Sequence, residues 1–268
     1  MNWKTASRLL FALTMIVIGL IGLVSGTFAP IWAGVPKSLP DRELLAYLCT
    51  LVSLACGVGL LTKRTAPLAA FVLFAYLLLW TILFKVPVII RHPLVEVAYQ
   101  SCGEGLVLVA GAWALTASSE NGPTNALLDF LRGNSGLRIA YLLYGLALIA
   151  FGLSHFAYLD LTAPLVPPFL PAPVFWAYLT GCIYLVTGIL LVAGFGARLG
   201  ATLAAAQIAL ITLLVWGTIV LKGDVSAGHW QETVVSVALT AAATAIAASF
   251  DGRPWIAQRQ SAPSTLAR

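Results

Sequence analysis

The chain has 268 residues, of which 60% are hydrophobic and only 9% charged, and its mean hydropathy is +0.95. Soluble globular domains carry about 45–50% apolar residues, so this composition excludes a water-soluble fold and makes a bilayer the natural solvent. The net charge of +5 is distributed by topology and implies no nucleic-acid partner.

A helix that crosses a hydrocarbon core about 30 Å thick needs roughly 20 apolar residues. Eight windows qualify, in chain order 8–30, 43–62, 66–86, 94–116, 138–158, 174–194, 198–221 and 231–249. The first lies where a signal peptide would, but it is long and runs into SGTFAPIWAGVP without a small-residue cleavage site, so it is expected to stay as a helix. Between the fourth and fifth windows lies a polar linker, ASSENGPTNALLDFLRGNSGL, whose ALLDFL core is expected to form a short interfacial helix. Residues 251–268 read as a disordered tail. The apolar runs are continuous, not alternating, which predicts helices and not a barrel.

The short loops set the orientation. One side carries Lys4, Arg8, Lys63, Arg64, Arg132, Arg138, Arg198, Arg253, Arg259 and Arg268. The other carries Lys37, Arg42, Lys85, Arg91 and Lys222, so both termini are expected on the cytoplasmic side of an inner membrane. Cys49, Cys56, Cys102 and Cys182 all fall inside predicted spans and read as small packing residues.

The two halves of the sequence repeat at an offset of about 130 residues. RLLFALTMIVIGLIGLVSGTF from Arg8 answers RIAYLLYGLALIAFGLSHF from Arg138. VPKSLP answers VPPFLP, and Gly57 falls over Gly188 in the second helix of each half. LLLW ending at Trp80 answers LLVW ending at Trp216, and Lys85, His92 and Glu96 answer Lys222, His229 and Glu232. Four helices per half give both halves the same orientation, with a pseudo-two-fold axis along the membrane normal. The expected fold is all-α: eight transmembrane helices as two tandem four-helix bundles. Its parts are a first unit at 1–116, a linker at 117–137, a second unit at 138–250 and a tail at 251–268.

Each half resembles a four-helix DoxX/DoxD-type unit. The likeness lies in the Arg that opens the first helix, the Gly-rich first helix running into GTF or GLSHF, the VP…LP loop, and the second helix ending in GLL before a basic turn. Tandem units depart from the usual single one. The resemblance implies a membrane-bound quinone-, thiol- or sulfur-linked redox system, with the chain as an accessory subunit beside a soluble or membrane oxidoreductase.

The residues themselves offer candidates. FKVPVIIRHPLVE and LKGDVSAGHWQE place His92 four residues before Glu96 and His229 three before Glu232, spacings that share a helix face. Two readings stand: a proton relay or headgroup site at the non-cytoplasmic end, or carboxylates favoured by helix N-termini with Lys85 and Lys222 reaching outward to water. The first-half helix is expected to start near His92, with Pro93 in its first turn. No HxH or HExxH spacing marks a metal site. Glu104, in SCGEGL, lies deep in the fourth span, where a carboxylate is a functional candidate by default. His92, Glu96, Gln100 and Glu104 form a ladder at spacing four; Leu239 or Thr240 stands near the second-half equivalent of Glu104. His155, Trp80 and Trp216 are candidate cofactor contacts, the alternative being an interfacial His and aromatic belts.

The chain has no Walker loop, GxGxxG, GxSxG or HExxH, which excludes ATP-driven transport and serine hydrolysis within it. Three function classes remain: a quinone- or thiol-linked redox subunit, a proton-coupled carrier working through the repeat interface with Glu104 as coupling group, and a non-catalytic assembly factor.

Overall fold

Backbone amides in lipid have no water to bond, so an apolar chain must satisfy them internally. The computed structural model does so with helices, and among the residues it describes (2–118, 125–223 and 225–256) there is no strand. Helix α1 spans Trp3–Ser25, capped by the Asn2 side chain, which accepts from the Thr5 amide at 2.8 Å. Helix α2 spans Arg42–Leu61. Helix α3 (Ala66–Trp80) passes through a wide π-turn at Thr81–Lys85 into α4 (Val86–Arg91), making one rod. Helix α5 spans Glu96–Ala117 and the short α6 covers Ala126–Arg132 in the linker. Then come α7 (Asn134–Ala157), the single turn α8 (Leu159–Thr162) and α9 (Pro173–Ala193). Helix α10 (Ala197–Ile211) runs through a π-turn at Thr212–Trp216 into α11 (Gly217–Leu221), and α12 spans Ala227–Ser249. The expected linker residues 119–124, Asp224 and the tail residues 257–268 lie outside the described residues.

Among the described residues, seven helical rods are long and apolar enough to cross a membrane: α1, α2, α3 with α4, α7, α9, α10 with α11, and α12. The difference from the eight windows of the sequence is α5. It forms over 22 residues, but Glu96, Gln100 and Glu104 leave its first half too polar to count. Large apolar side chains such as Leu13, Val17, Leu146, Ile189, Leu203 and Leu213 point outward from several rods. That much exposed apolar surface is stable against lipid and not against water.

Contacts between helices run α1, α2, α3, α5, α7, α9, α10, α12 and back to α1, with α5 and α12 also touching across the middle. The halves therefore interlock, since α5 leans on α7 and α12 on α1. Helix α12 is central, with 67% of its apolar window buried, whereas α10 with α11 lies at the rim with 17%. Small residues allow the close approaches. A Cβ on Gly111 would meet the Ala242 Cα at 2.7 Å, which pins α5 against the Ala-rich face of α12. A Cβ on Gly57 would meet the Ala12 carbonyl at 2.9 Å, and one on Gly188 the Gly145 carbonyl at 2.7 Å.

Element starts recur at a fixed interval: residues 3 and 134, 42 and 173, 66 and 197, 81 and 212, and 96 and 227, each pair 131 apart. Counted at that interval, the helices pair residues otherwise than the loops do. Lys85 ends its π-turn opposite Trp216, not Lys222; Ser101 stands opposite Glu232, and Glu104 opposite Val235, not Leu239 or Thr240. The cause is unequal depth. Lys85 is followed by the whole of α4, whereas Lys222 comes just after α11 has ended. The two Lys–His–Glu strings look alike but occupy different levels of their rods.

Candidate functional site

A cavity of about 590 Å³ opens among α5, α7, α9, α10 and α12. Most of its wall is apolar, including Phe151, Leu165, Ile208, Ile211 and Val235. Into it project Gln100 and Glu104 from α5, Ser154 and His155 from α7, and Glu232 and Ser236 from α12. Of the candidates read from sequence, the fold brings Glu104, Glu232, His155 and Trp216 to this one cavity.

Each is placed by its helix. Glu104 lies eight residues past the start of α5, about 12 Å along the axis at 1.5 Å per residue. Glu232 lies in the second turn of α12, whose N-terminus is fixed by Ser226 accepting from the His229 amide at 3.1 Å. His155 lies in the last turn of α7 with Nδ1 2.8 Å from the Phe151 carbonyl. A carbonyl only accepts, so Nδ1 carries the proton, and Nε2 is a bare acceptor when the ring is neutral. The imidazole also lies 5.6 Å, centroid to centroid, from the Tyr184 ring.

Lys85 changes its meaning most. One of the two readings had it reach outward to water, but Lys85 is buried and its Nζ donates to Ser101 Oγ at 2.8 Å, whereas Lys222 is exposed. The loop after α1 covers it: Gly34 adopts a φ of 103°, and a Cβ there would lie 3.7 Å from the Lys85 Cε. The buried ammonium is within electrostatic reach of both Glu104 and Glu232. A carboxylate in a low-dielectric interior is costly unless it is paired or hydrogen-bonded.

The other candidates lie elsewhere. His92 caps the end of α4, exposed, and a turn over residues 92–95 separates it from α5. Helix α5 starts at Glu96, not near His92, so Pro93 stands outside it and the His92–Glu96 face does not form. The ladder at spacing four loses its His92 rung for the same reason, while Glu96, Gln100 and Glu104 remain four apart on α5. Glu96 accepts from Ser154 Oγ and lines a separate groove between α5 and α7, of about 530 Å³, with Pro93, Tyr99 and Leu153. His229 is partly buried with Nδ1 unpartnered, and it lines neither cavity. Trp80 packs instead in an aromatic cluster with Phe28, Trp32, Tyr76 and Phe84.

Sequence reading passed over the hydroxyls. Thr212 at the π-turn bonds the Ser236 and Thr240 hydroxyls at 2.7 and 2.8 Å, joining α10 to α12 beneath the cavity wall. Wide π-turns often mark functional positions, and a signal was present in the Thr that precedes each LLVW- or ILFK-type run. Among the described residues, no three His, Cys, Asp or Glu side chains come close enough to hold a metal ion.

Comparison with protein-family models, with curated proteins and with solved structures finds no match.

Proposed function

We propose that the protein is an inner-membrane subunit of a quinone-linked redox system, which holds a quinone headgroup in the cavity bounded by α5, α7, α9, α10 and α12. In this reading α5 is an eighth span, and the chain consists of two DoxX-like four-helix units related by a pseudo-two-fold axis. The constant spacing of element starts and the reciprocal contacts of α5 with α7 and of α12 with α1 support that arrangement. Eight spans put both termini on one side, and the excess of Lys and Arg in the connections at that side makes it cytoplasmic.

The observation that carries the reading is the pair Glu104 and Glu232 on the wall of an otherwise apolar cavity. Its volume falls in the usual range for small-molecule sites, about 300–1,000 Å³. Carboxylates at such a wall can accept the two protons a quinol releases as its two electrons pass to a partner oxidoreductase, and His155 Nε2 adds a further acceptor. The apolar remainder suits a hydrocarbon tail.

Organic extraction of the protein purified in mild detergent, with chromatographic quantification of quinone, tests this directly. About one quinone per chain is expected, falling at least tenfold in Glu104→Gln and Glu232→Gln. A preparation that neither carries quinone nor takes it up when titrated would sink the reading.

A proton-coupled carrier is the second reading, favoured by a buried cation within reach of two carboxylates. It requires proton-driven uptake into proteoliposomes that Glu104→Gln abolishes.

A further inference from the structure

The two halves differ sharply in one place. The turn after α1 holds a three-residue helix, Pro30–Trp32, and the segment after α7 holds another, Ala163–Leu165. Packing fixes their correspondence. A Cβ on Gly19 would strike Leu54, and one on Gly152 would strike Leu185; Gly57 faces Ile16 as Gly188 faces Ile149. That packing sets 133 residues between α1 and α7 and the short helices that follow them, and 131 from α2 and α9 onward, so Leu165 takes the place of Trp32, Tyr184 that of Ser53, and Ile211 that of Trp80, with Trp80 and Ile211 each just before a π-turn.

In the first half this place is filled. Trp32 is 1% exposed, its indole lies edge-on to Tyr76 and Trp80 at 5.4 and 5.2 Å, and its Nε1 donates to Ser53 Oγ at 3.0 Å. In the second half Leu165 and Ile211 are smaller, and both line the cavity. Tyr184 is larger than Ser53 but turns its ring toward Phe151 and His155, at 5.8 and 5.6 Å, so it stands against α7 and does not close the space.

We infer that Trp32 is a built-in occupant: it plugs, in the first half, the counterpart of the ligand cavity, and the ligand of the second half is a planar ring of about indole size that carries an N–H or O–H donor. The donor follows from the acceptors it meets, Glu104, Glu232 and His155 Nε2. The inference deepens the reading of this cavity as a ligand site, yet it names the shape of the occupant without requiring that it be a quinone.

The probe is 5-fluoroindole, followed by its fluorine NMR signal with the full-length protein in detergent micelles. The wild type is expected to give one saturable bound resonance beside the micelle signal. Leu165→Trp fills the open cavity and abolishes that resonance while the thermal transition persists. Trp32→Leu opens the plugged space and adds a second bound resonance. No bound resonance in the wild type, an undiminished one in Leu165→Trp, or no second one in folded Trp32→Leu each overturns the inference. Should Trp32→Leu fail to fold, the wild type and Leu165→Trp decide it. Quinone extraction reads the redox proposal separately: fluoroindole signals that behave as described in a protein without quinone would leave the plug standing and remove only the quinone.

Discussion

Lys85 donates from Nζ to Ser101 Oγ at 2.8 Å, and that bond ties the rod of α3 and α4 to α5 from within the protein. It also keeps the Lys85 side chain within electrostatic reach of Glu104 and Glu232, which line the cavity. The cavity thus depends on both halves, although most of its wall comes from one.

Removing that cation should be felt in stability. Lys85→Met leaves the Ser101 hydroxyl without its donor and two acids without their neighbour, for a loss of about 1–3 kcal/mol. Lys222→Met, at an exposed position, should stay within about 0.5 kcal/mol. Thermal unfolding of the two variants in the same detergent compares them, and equal transitions would refute a structural role for Lys85.

Glycine at the centre should be irreplaceable. In Gly111→Leu the new Cβ meets Ala242 backbone at 2.7 Å, and neither helix backbone can yield as a flexible side chain would. Overpacking of this kind costs about 1–3 kcal/mol, occasionally more. Gly228→Ala meets only Ser226 Oγ at 3.8 Å and should be tolerated. Monodisperse yield and thermal midpoint report both.

Tryptophan fluorescence can separate the two candidate indoles. Trp216 lines the cavity, whereas Trp80 sits in the aromatic cluster of the first half. A quinone titrated into the protein should quench emission, and Trp216→Phe should lose a distinct part of that quench. Trp80→Phe should retain it. Equal quenching in all three proteins would place the ligand elsewhere.

Orientation can be read by labelling in intact cells. In a chain with its four cysteines replaced, Leu94→Cys sits in the turn between α4 and α5, where Leu94 is 98% exposed. Lys63→Cys sits in the turn between α2 and α3. An impermeant maleimide should modify the first from outside and the second only after lysis. Labelling of both from the same side would refute the proposed topology.

The rods themselves were legible in the sequence, since continuous apolar runs of about 20 residues have few other options in lipid. Seven of them are long and apolar enough to span, and α5 was recognisable as a helix although its polar first half keeps it from the same standard. Glu104 was legible as well, because a carboxylate so deep in a predicted span is conspicuous whatever surrounds it. The doubled Lys–His–Glu string misled in its details. Similar letters near a helix end do not reveal how many turns precede them, and a turn over 92–95 moved His92 off α5.

Sequence alone, then, determined the apolar solvent and the helical class, because these follow from composition and period along the chain. Tertiary structure alone decided which polar groups meet. Lys85, Glu104 and Glu232 come from three different helices, and His155 and Trp216 from two more. Their convergence depends on how close Gly111 lets α5 come to α12 and on whether Trp32 or Leu165 fills a corner. Those are packing distances between residues far apart in the chain, and no local pattern of letters encodes them.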